Sequence, residues 1–222
     1  MPTFDFNRIA DDYDSYYETV LGQQVDHVEK QLIWKYMIHM TLEKPVLEVG
    51  CGTGHWTKFF KQKGLQIYAI DISEKMLKVA LKKNPEGIQF EKMSVEDLRY
   101  KDYYFENIIS IASLEFVDNM DQAFNEIFRV LKPGGIFLIG CLNALSEIGQ
   151  QKEYNDIYRN AHFFNPDELK EWLSAFGKPE IDACAIIEGN QVTDYPDFNR
   201  VKKSIRLKRG AFLTGFVKKS KS

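Results

Sequence analysis

The sequence predicts an α/β fold: a doubly wound sheet of seven strands, mostly parallel, preceded by a helical cap. Three observations predict it. Short apolar runs alternate with amphipathic segments of helical length, the pattern of β-α-β units rather than of an all-β or all-α chain. A glycine turn, Gly50-Cys51-Gly52-Thr53-Gly54, joins the first run to the helix behind it. The length, 222 residues, suits one sheet covered on both faces and is short for two ordinary domains.

Each element has its own signal. Up to about residue 42, Val25, Val28, Leu32, Tyr36 and Met40 recur at three- and four-residue steps, one face of a helix that Pro45 is expected to end. Residues 46–49 read as a buried strand and 55–63 as a helix stopped by Gly64. A second strand covers 65–70. Ser73 then caps a helix over 74–83 that Asn84-Pro85 closes. Strands follow at 88–93 and 105–112. A helix over 119–132 is expected to close on Pro133-Gly134-Gly135, before a fifth strand at 136–141. An aromatic stretch leads to Asn165, the cap of a helix over 166–176. Late strands at 180–187 and 211–218 flank a basic segment. These elements divide the chain, 1–222, into a cap (1–44), a core (45–142) and a further half-sheet with insertions (143–222).

Composition narrows the function. The chain is 44% hydrophobic and 27% charged with a formal charge of −3, so no global field favours nucleic acid or an acidic membrane. No apolar run approaches the ~18–20 residues that span a bilayer, and residues 1–8 do not read as a signal peptide. Cys51, Cys141 and Cys184 are too few and scattered for a disulfide framework or zinc site. His27, His39 and His55 lack partners at metal spacing. A cytoplasmic protein without a metal is expected.

The chemistry centres on the glycine turn. In an open parallel sheet, ligands sit at the carboxyl ends of the strands where the strand order reverses. Glycine there lets the backbone turn sharply and approach a ligand. Asp71 ends the second strand about twenty residues on, where a carboxylate accepts from both hydroxyls of a ribose; as an alternative, it is an acid favoured at a helix N-terminus. The spacing is G-x-G-x-G, not the G-x-G-x-x-G of dinucleotide sites. Glu48, inside the apolar strand, would repel a pyrophosphate and suits a ligand with an ammonium group near a sulfonium.

The run Val46-Leu47-Glu48-Val49-Gly50-Cys51-Gly52-Thr53-Gly54 resembles motif I of the class I S-adenosylmethionine-dependent methyltransferases, of the methyltransferase type 11 kind. Tyr68-Ala69-Ile70-Asp71-Ile72-Ser73 is similar to the family's ribose-binding strand, and Met93-Ser94-Val95-Glu96-Asp97-Leu98 to the segment beside adenine. Phe105-Glu106-Asn107-Ile108-Ile109-Ser110 and Leu131-Lys132-Pro133-Gly134-Gly135 resemble its fourth and fifth motifs, and the likeness runs from Phe6 to about Lys218. Ser94 stands where members often carry Asp, and Glu106 where Asp is usual.

The resemblance implies an S-adenosyl-L-methionine cofactor, a Rossmann-like sheet whose last strand is antiparallel, and methyl transfer by in-line displacement. It places Glu48, Gly50, Cys51, Gly52 and Gly54 around the methionine part and Asp71 on the ribose. Ile72 and Met76 would cover a face of adenine, Ser94, Val95 and Glu96 border its edge, and Ile111 lie near the methyl group. Core packing is the alternative for Ile72, Met76 and Ile111. Tyr13, in Ile9-Ala10-Asp11-Asp12-Tyr13-Asp14, would close over the cofactor, with cap packing as its alternative. The implied partner is a small-molecule methyl acceptor, met by the N-terminal aromatics, the 143–165 stretch and the 189–209 segment. His162 is a candidate base, although a histidine among aromatics is more often structural. The six basic residues of 200–209 read as a solvated face before they read as a nucleic-acid contact. A nicotinamide-dependent oxidoreductase and a noncatalytic cofactor binder are the competing readings, and no catalytic residue or oligomeric state follows from the sequence.

Overall fold

A computed structural model describes residues 4–221 except 42 and 85. Two 3-10 turns, Phe6–Arg8 and Tyr13–Glu18, precede helix α1 (Val20–Met37). Strand β1 (Pro45–Val49), helix α2 (His55–Gln62), strand β2 (Gln66–Asp71), helix α3 (Glu74–Lys83) and strand β3 (Gln89–Lys92) make the first half. Strand β4 (Phe105–Ile111), a 3-10 turn at Leu114–Phe116, helix α4 (Met120–Val130) and strand β5 (Leu131–Leu142) begin the second. Then come helices α5 (Glu147–Gln150) and α6 (Pro166–Ser174), strand β6 (Glu180–Cys184) and a small hairpin of β7 (Ile187–Glu188) and β8 (Gln191–Val192). Helix α7 (Lys203–Arg209) and strand β9 (Phe212–Lys218) follow.

The seven-stranded sheet runs β3-β2-β1-β4-β5-β9-β6. β1 pairs in parallel with β2 and β4, so the chain winds outward from β1 first one way, then the other. β9, the last strand, inserts antiparallel between β5 and β6. Successive residues of β1 point to opposite faces, as a strand requires. Val46 joins the core beneath α1 and α2, and Leu47 and Val49 join the core beneath α4 and α6. The expected cap, seven strands and antiparallel last strand are therefore present.

Several expected boundaries are not. α1 ends at Met37, well before Pro45, which opens β1 instead. Leu42 and Pro85, expected at the ends of helices, lie outside the described residues. Pro133-Gly134-Gly135 does not separate α4 from β5. β5 begins at Leu131, and the proline and glycines fall where its register against β4 shifts, Phe105 facing Leu131 and Asn107 facing Ile136. Such a bulge accepts a proline that an uninterrupted ladder would reject. The strand expected over 180–187 breaks at Ala185, whose φ of +63° leaves the extended region. Nor is the 200–209 segment wholly a solvated face. Arg206 is buried and binds Asp182 at 2.6 Å, with Lys35 on the same carboxylate at 2.9 Å. Caps read from sequence hold: Ser73 accepts from Met76 N, and Asn165 forms a reciprocal capping box with Glu168.

Candidate functional site

Where the winding reverses, between β1 and β4, a cleft of about 900 Å³ including its open mouth lies at the carboxyl ends of β1, β2 and β4. Its floor is the glycine turn. Gly50 and Cys51 both donate to Ile70 O, at 2.8 and 3.0 Å, so the turn folds back over β2. A Cβ on Gly50 would stand 1.8 Å from Ser113 Oγ, which ties the turn to the segment after β4. Gly52 has φ +53°, and a Cβ there would meet no atom within 4 Å, because its outer side opens to free space.

Asp71 faces that space. Its Oδ2 accepts from Gly52 N and its Oδ1 from Ser73 N, both at 2.8 Å. A carboxylate has about four acceptor positions, so each oxygen keeps capacity for a ligand hydroxyl. Burial pushes its carboxyl above the usual range, while the amides of Ser73 and Gly52 pull it down. Gly50, Cys51, Gly52, Asp71, Ile72, Met76, Ser94, Val95, Glu96, Ile111 and Tyr13 all line the cleft. Ile72 is 61% exposed there, a position that core packing does not explain. Met76 is 1% exposed and serves both cleft and core. Ser94 Oγ accepts from Glu96 N at 3.1 Å, and Glu96 also receives the Asn119 amide at the cap of α4. Cys51 is buried and its thiol is pushed up chiefly by that burial, which keeps it from acting as a thiolate.

Glu48 and Gly54 stand differently. Neither lines the cleft. Glu48 is 2% exposed and lies one layer behind the turn, on the α2 side, with Oε2 buried and without a hydrogen-bond partner. Burial pushes its carboxyl up to about 8. Gly54, at φ +77°, is the N-cap of α2 and shapes the turn from below.

The cap closes one side. Phe6 and Tyr13 line the cleft, and Phe6 meets Phe116 edge-on at 4.8 Å. Asn7 Oδ1 accepts from Ser73 Oγ at 2.9 Å and from Lys75 N at 3.1 Å. Asp14 accepts from Thr53 Oγ1 at 2.6 Å and pairs with Lys83. Tyr17 stacks on His55 at 3.7 Å, and His55 binds Asp26 of α1 at 2.6 Å. Thr53 and Ser113 are cleft residues that the sequence reading did not single out, while Phe6 was expected only among the N-terminal aromatics of the acceptor side. Only Thr53 carried a signal, its place inside the glycine turn. His162 is exposed, pairs with Glu168 at the start of α6 and does not line the cleft, so its position is that of a surface partner of α6 rather than a base.

The cleft fits an S-adenosyl nucleoside. Gly52 leaves a cradle that a Cβ would fill, Asp71 turns to the same space, and the surfaces of Ile72 and Met76 are apolar. Among the described residues no cluster of three or more His, Cys, Asp or Glu could hold a metal ion, and no helix is long and apolar enough to cross a membrane.

Comparison with known proteins agrees. The model of a methyltransferase domain matches residues 47–139. An uncharacterized protein of Methanocaldococcus jannaschii is 30% identical over 221 residues, covering 96% of this chain and 95% of that one. A malonyl-[acyl-carrier protein] O-methyltransferase of Pectobacterium atrosepticum is 26% identical over 169 residues, which is 72% of this chain and 62% of that enzyme, so this chain spans about six-tenths of its length. Among solved structures, a methyltransferase dependent on S-adenosylmethionine from Thermotoga maritima superposes with a TM-score of 0.74 at 23% identity, covering 97% of this chain and 98% of that one.

Proposed function

Because the chain belongs to the class I S-adenosylmethionine-dependent methyltransferases, we propose that its methyl acceptor is a small molecule received between the cap and the 143–165 stretch. The cofactor is S-adenosylmethionine and the reaction is methyl transfer. The observation that carries the reading is the meeting of Asp71 and the open side of Gly52 in one cleft at the switch point of the sheet.

That geometry supports the following site assignments. Asp71 holds the ribose hydroxyls, and the amides of Gly50, Cys51 and Gly52 border the methionine part. Ile72 and Met76 cover adenine, Ser94, Val95 and Glu96 bound its edge, and Ile111 lies toward the reacting end. Tyr13 closes the cleft. Glu48 stands behind the turn, where an arriving ammonium group would favour its ionised form against the burial that raises it, and Gly54 acts by setting the start of α2. The division into a cap of residues 1–44, a cofactor core of 45–142 and an acceptor half of 143–222 belongs to this proposal.

When bound, the cofactor supplies an electrophilic methyl group on a sulfonium whose positive charge disappears during transfer. The protein's part is to align and to dry the site. The turn and Asp71 fix the nucleoside, while Phe6, Tyr13 and Phe116 shield it from water. Such a reaction needs no catalytic dyad. The test is calorimetry with S-adenosylhomocysteine followed by single-turnover transfer of a labelled methyl group to small-molecule extracts. Binding with labelled product is expected; folded protein that binds no S-adenosylhomocysteine would contradict the reading.

A further inference from the structure

At its methionine end S-adenosylmethionine is a zwitterion, with a carboxylate beside the ammonium group. A carboxylate drawn out of water needs a partner. Four side chains that can carry charge near neutrality line the cleft: Asp71, Glu96, Asp118 and His55. Three of them are acids. Among the described cleft residues, His55 is therefore the one that can be positive. It follows directly on the glycine turn, as the first residue of α2.

His55 is held from behind and left open on one nitrogen. Its Nε2 lies 2.6 Å from Asp26 Oδ1 on α1. A carboxylate oxygen only accepts, so Nε2 carries a hydrogen and donates it. Tyr17 stacks flat on the ring, 3.7 Å away with 3° between the planes, and an aromatic face favours a cation. Nδ1 has no hydrogen-bond partner among the described residues; in the imidazolium it is a second donor. The charges behind the ring do not cancel. Lys30 Nζ binds Asp26 Oδ2 at 2.6 Å and stands 3.1 Å from His55 Nε2. Trp56 and Phe59 of α2 flank the same ammonium at 5.7 and 5.6 Å. Glu29, between Asp26 and Lys30 on α1, is ion-paired with neither cation, though Lys30 acts on it at longer range. Two cations thus share one carboxylate, and with His55 protonated one positive charge is left over at the edge of the cleft.

We propose that the protonated ring of His55, through Nδ1, receives the carboxylate of the methionine part of S-adenosylmethionine, while Asp26, Lys30 and Tyr17 fix the ring. The inference rests on the cofactor reading and assigns a partner to a ligand group that the turn and Asp71 leave unpaired. A charge-assisted bond of this kind is among the stronger hydrogen bonds in proteins. It also ties the cap to the cofactor, because α1 and the 3-10 turn before it hold the same ring.

Calorimetry of the full chain would compare S-adenosylhomocysteine with its decarboxylated analogue, whose amino-acid end is a bare aminopropyl chain. Nucleoside and ammonium group are common to both ligands, so only the carboxylate differs. The wild type is expected to favour S-adenosylhomocysteine by about tenfold or more, the size of one charge-assisted hydrogen bond. In His55→Gln, whose amide can still donate to Asp26, S-adenosylhomocysteine should weaken by about tenfold and the analogue should not. A ratio of the two affinities equal to that of the wild type overturns the proposal and leaves the cofactor reading standing; if both ligands weaken together, His55 only seats the cap. Failure of the wild type to bind S-adenosylhomocysteine contradicts both. Magnetic resonance of the wild type with nitrogen-labelled histidine needs no variant. One imidazole should respond to S-adenosylhomocysteine and not to the analogue, and ring signals that answer alike to the two ligands overturn the proposal.

Discussion

Glu48 and Asp71 are both carboxylates at strand ends beside the same turn, yet they do different work because of where each points. Asp71 is held by two amides and turned to the cleft. Glu48 is sealed behind the turn with one oxygen unpaired. The folded-state value of Glu48, about 8, lies above its ordinary 4.5. The stability this group contributes is therefore fully present below about 4.5 and is lost as pH rises through about 8. Glu115, raised in the same direction, adds to the trend. Thermal melts of the cofactor-free protein should show Tm falling between about pH 5 and 8, and Glu48→Gln should remove part of that fall, about 3 °C or more. An identical slope in the variant would show that Glu48 is not the group responsible. Gly50 supplies a second case. Its φ is +69°, and a Cβ added there would stand 1.8 Å from Ser113 Oγ. Gly50→Ala should therefore destabilise the fold by about 1–3 kcal/mol, readable by urea denaturation. The place of Asp71 beside the turn was legible because its spacing from the turn is fixed by one strand and one helix. The isolation of Glu48 was not, since sequence gives the face of a strand but not the depth of the layer behind a turn.

The 3-10 turn at Tyr13–Glu18 owes its position to bonds that no local propensity encodes. Asp14 clamps it to Thr53 and to Lys83, and Asp26 with His55 seats α1 against α2. Asp14→Ala should loosen the turn without unfolding the core. Amide exchange across residues 13–18 should then rise, and release of S-adenosylhomocysteine should quicken by about tenfold, the effect of losing a charge-assisted bond, as measured by stopped flow. Unchanged exchange would mean that the aromatic contacts of Phe6 and Tyr17 suffice to hold the cap. Local signals did announce helices with side-chain caps, such as the one begun by Asn165. They failed where tertiary pairing overrides punctuation: Pro133-Gly134-Gly135 looks like an interruption, yet β4 on one side and Lys219, just past β9, on the other carry the strand through it as a bulge.

The sheet as a whole brings the cleft residues that follow β1, β2 and β4 together at its carboxyl ends. Alternation of strands and helices made the doubly wound core readable. The antiparallel direction of the last strand came from family likeness, and its insertion between β5 and β6 was not read, because no periodicity distinguishes a last strand added at the edge from one inserted antiparallel. The basic segment shows the same limit. Its charges suggested a surface, but Arg206 turns inward to Asp182 and to the carbonyl of Ala183. Arg206→Leu strips one partner from a carboxylate that is fully buried, and should cost about 3–5 kcal/mol, lessened by the Lys35 pair that remains. Denaturant melts would read the loss.

One contact carries the central claim, the grip of Asp71 on the sugar of an S-adenosyl nucleoside. Its most direct measurement is calorimetric titration of S-adenosylhomocysteine into the wild type and Asp71→Ala, with circular dichroism confirming that both are folded. Loss of two hydroxyl contacts to a carboxylate predicts an affinity lower by about a hundredfold or more. Equal affinity in the two proteins would contradict the claim.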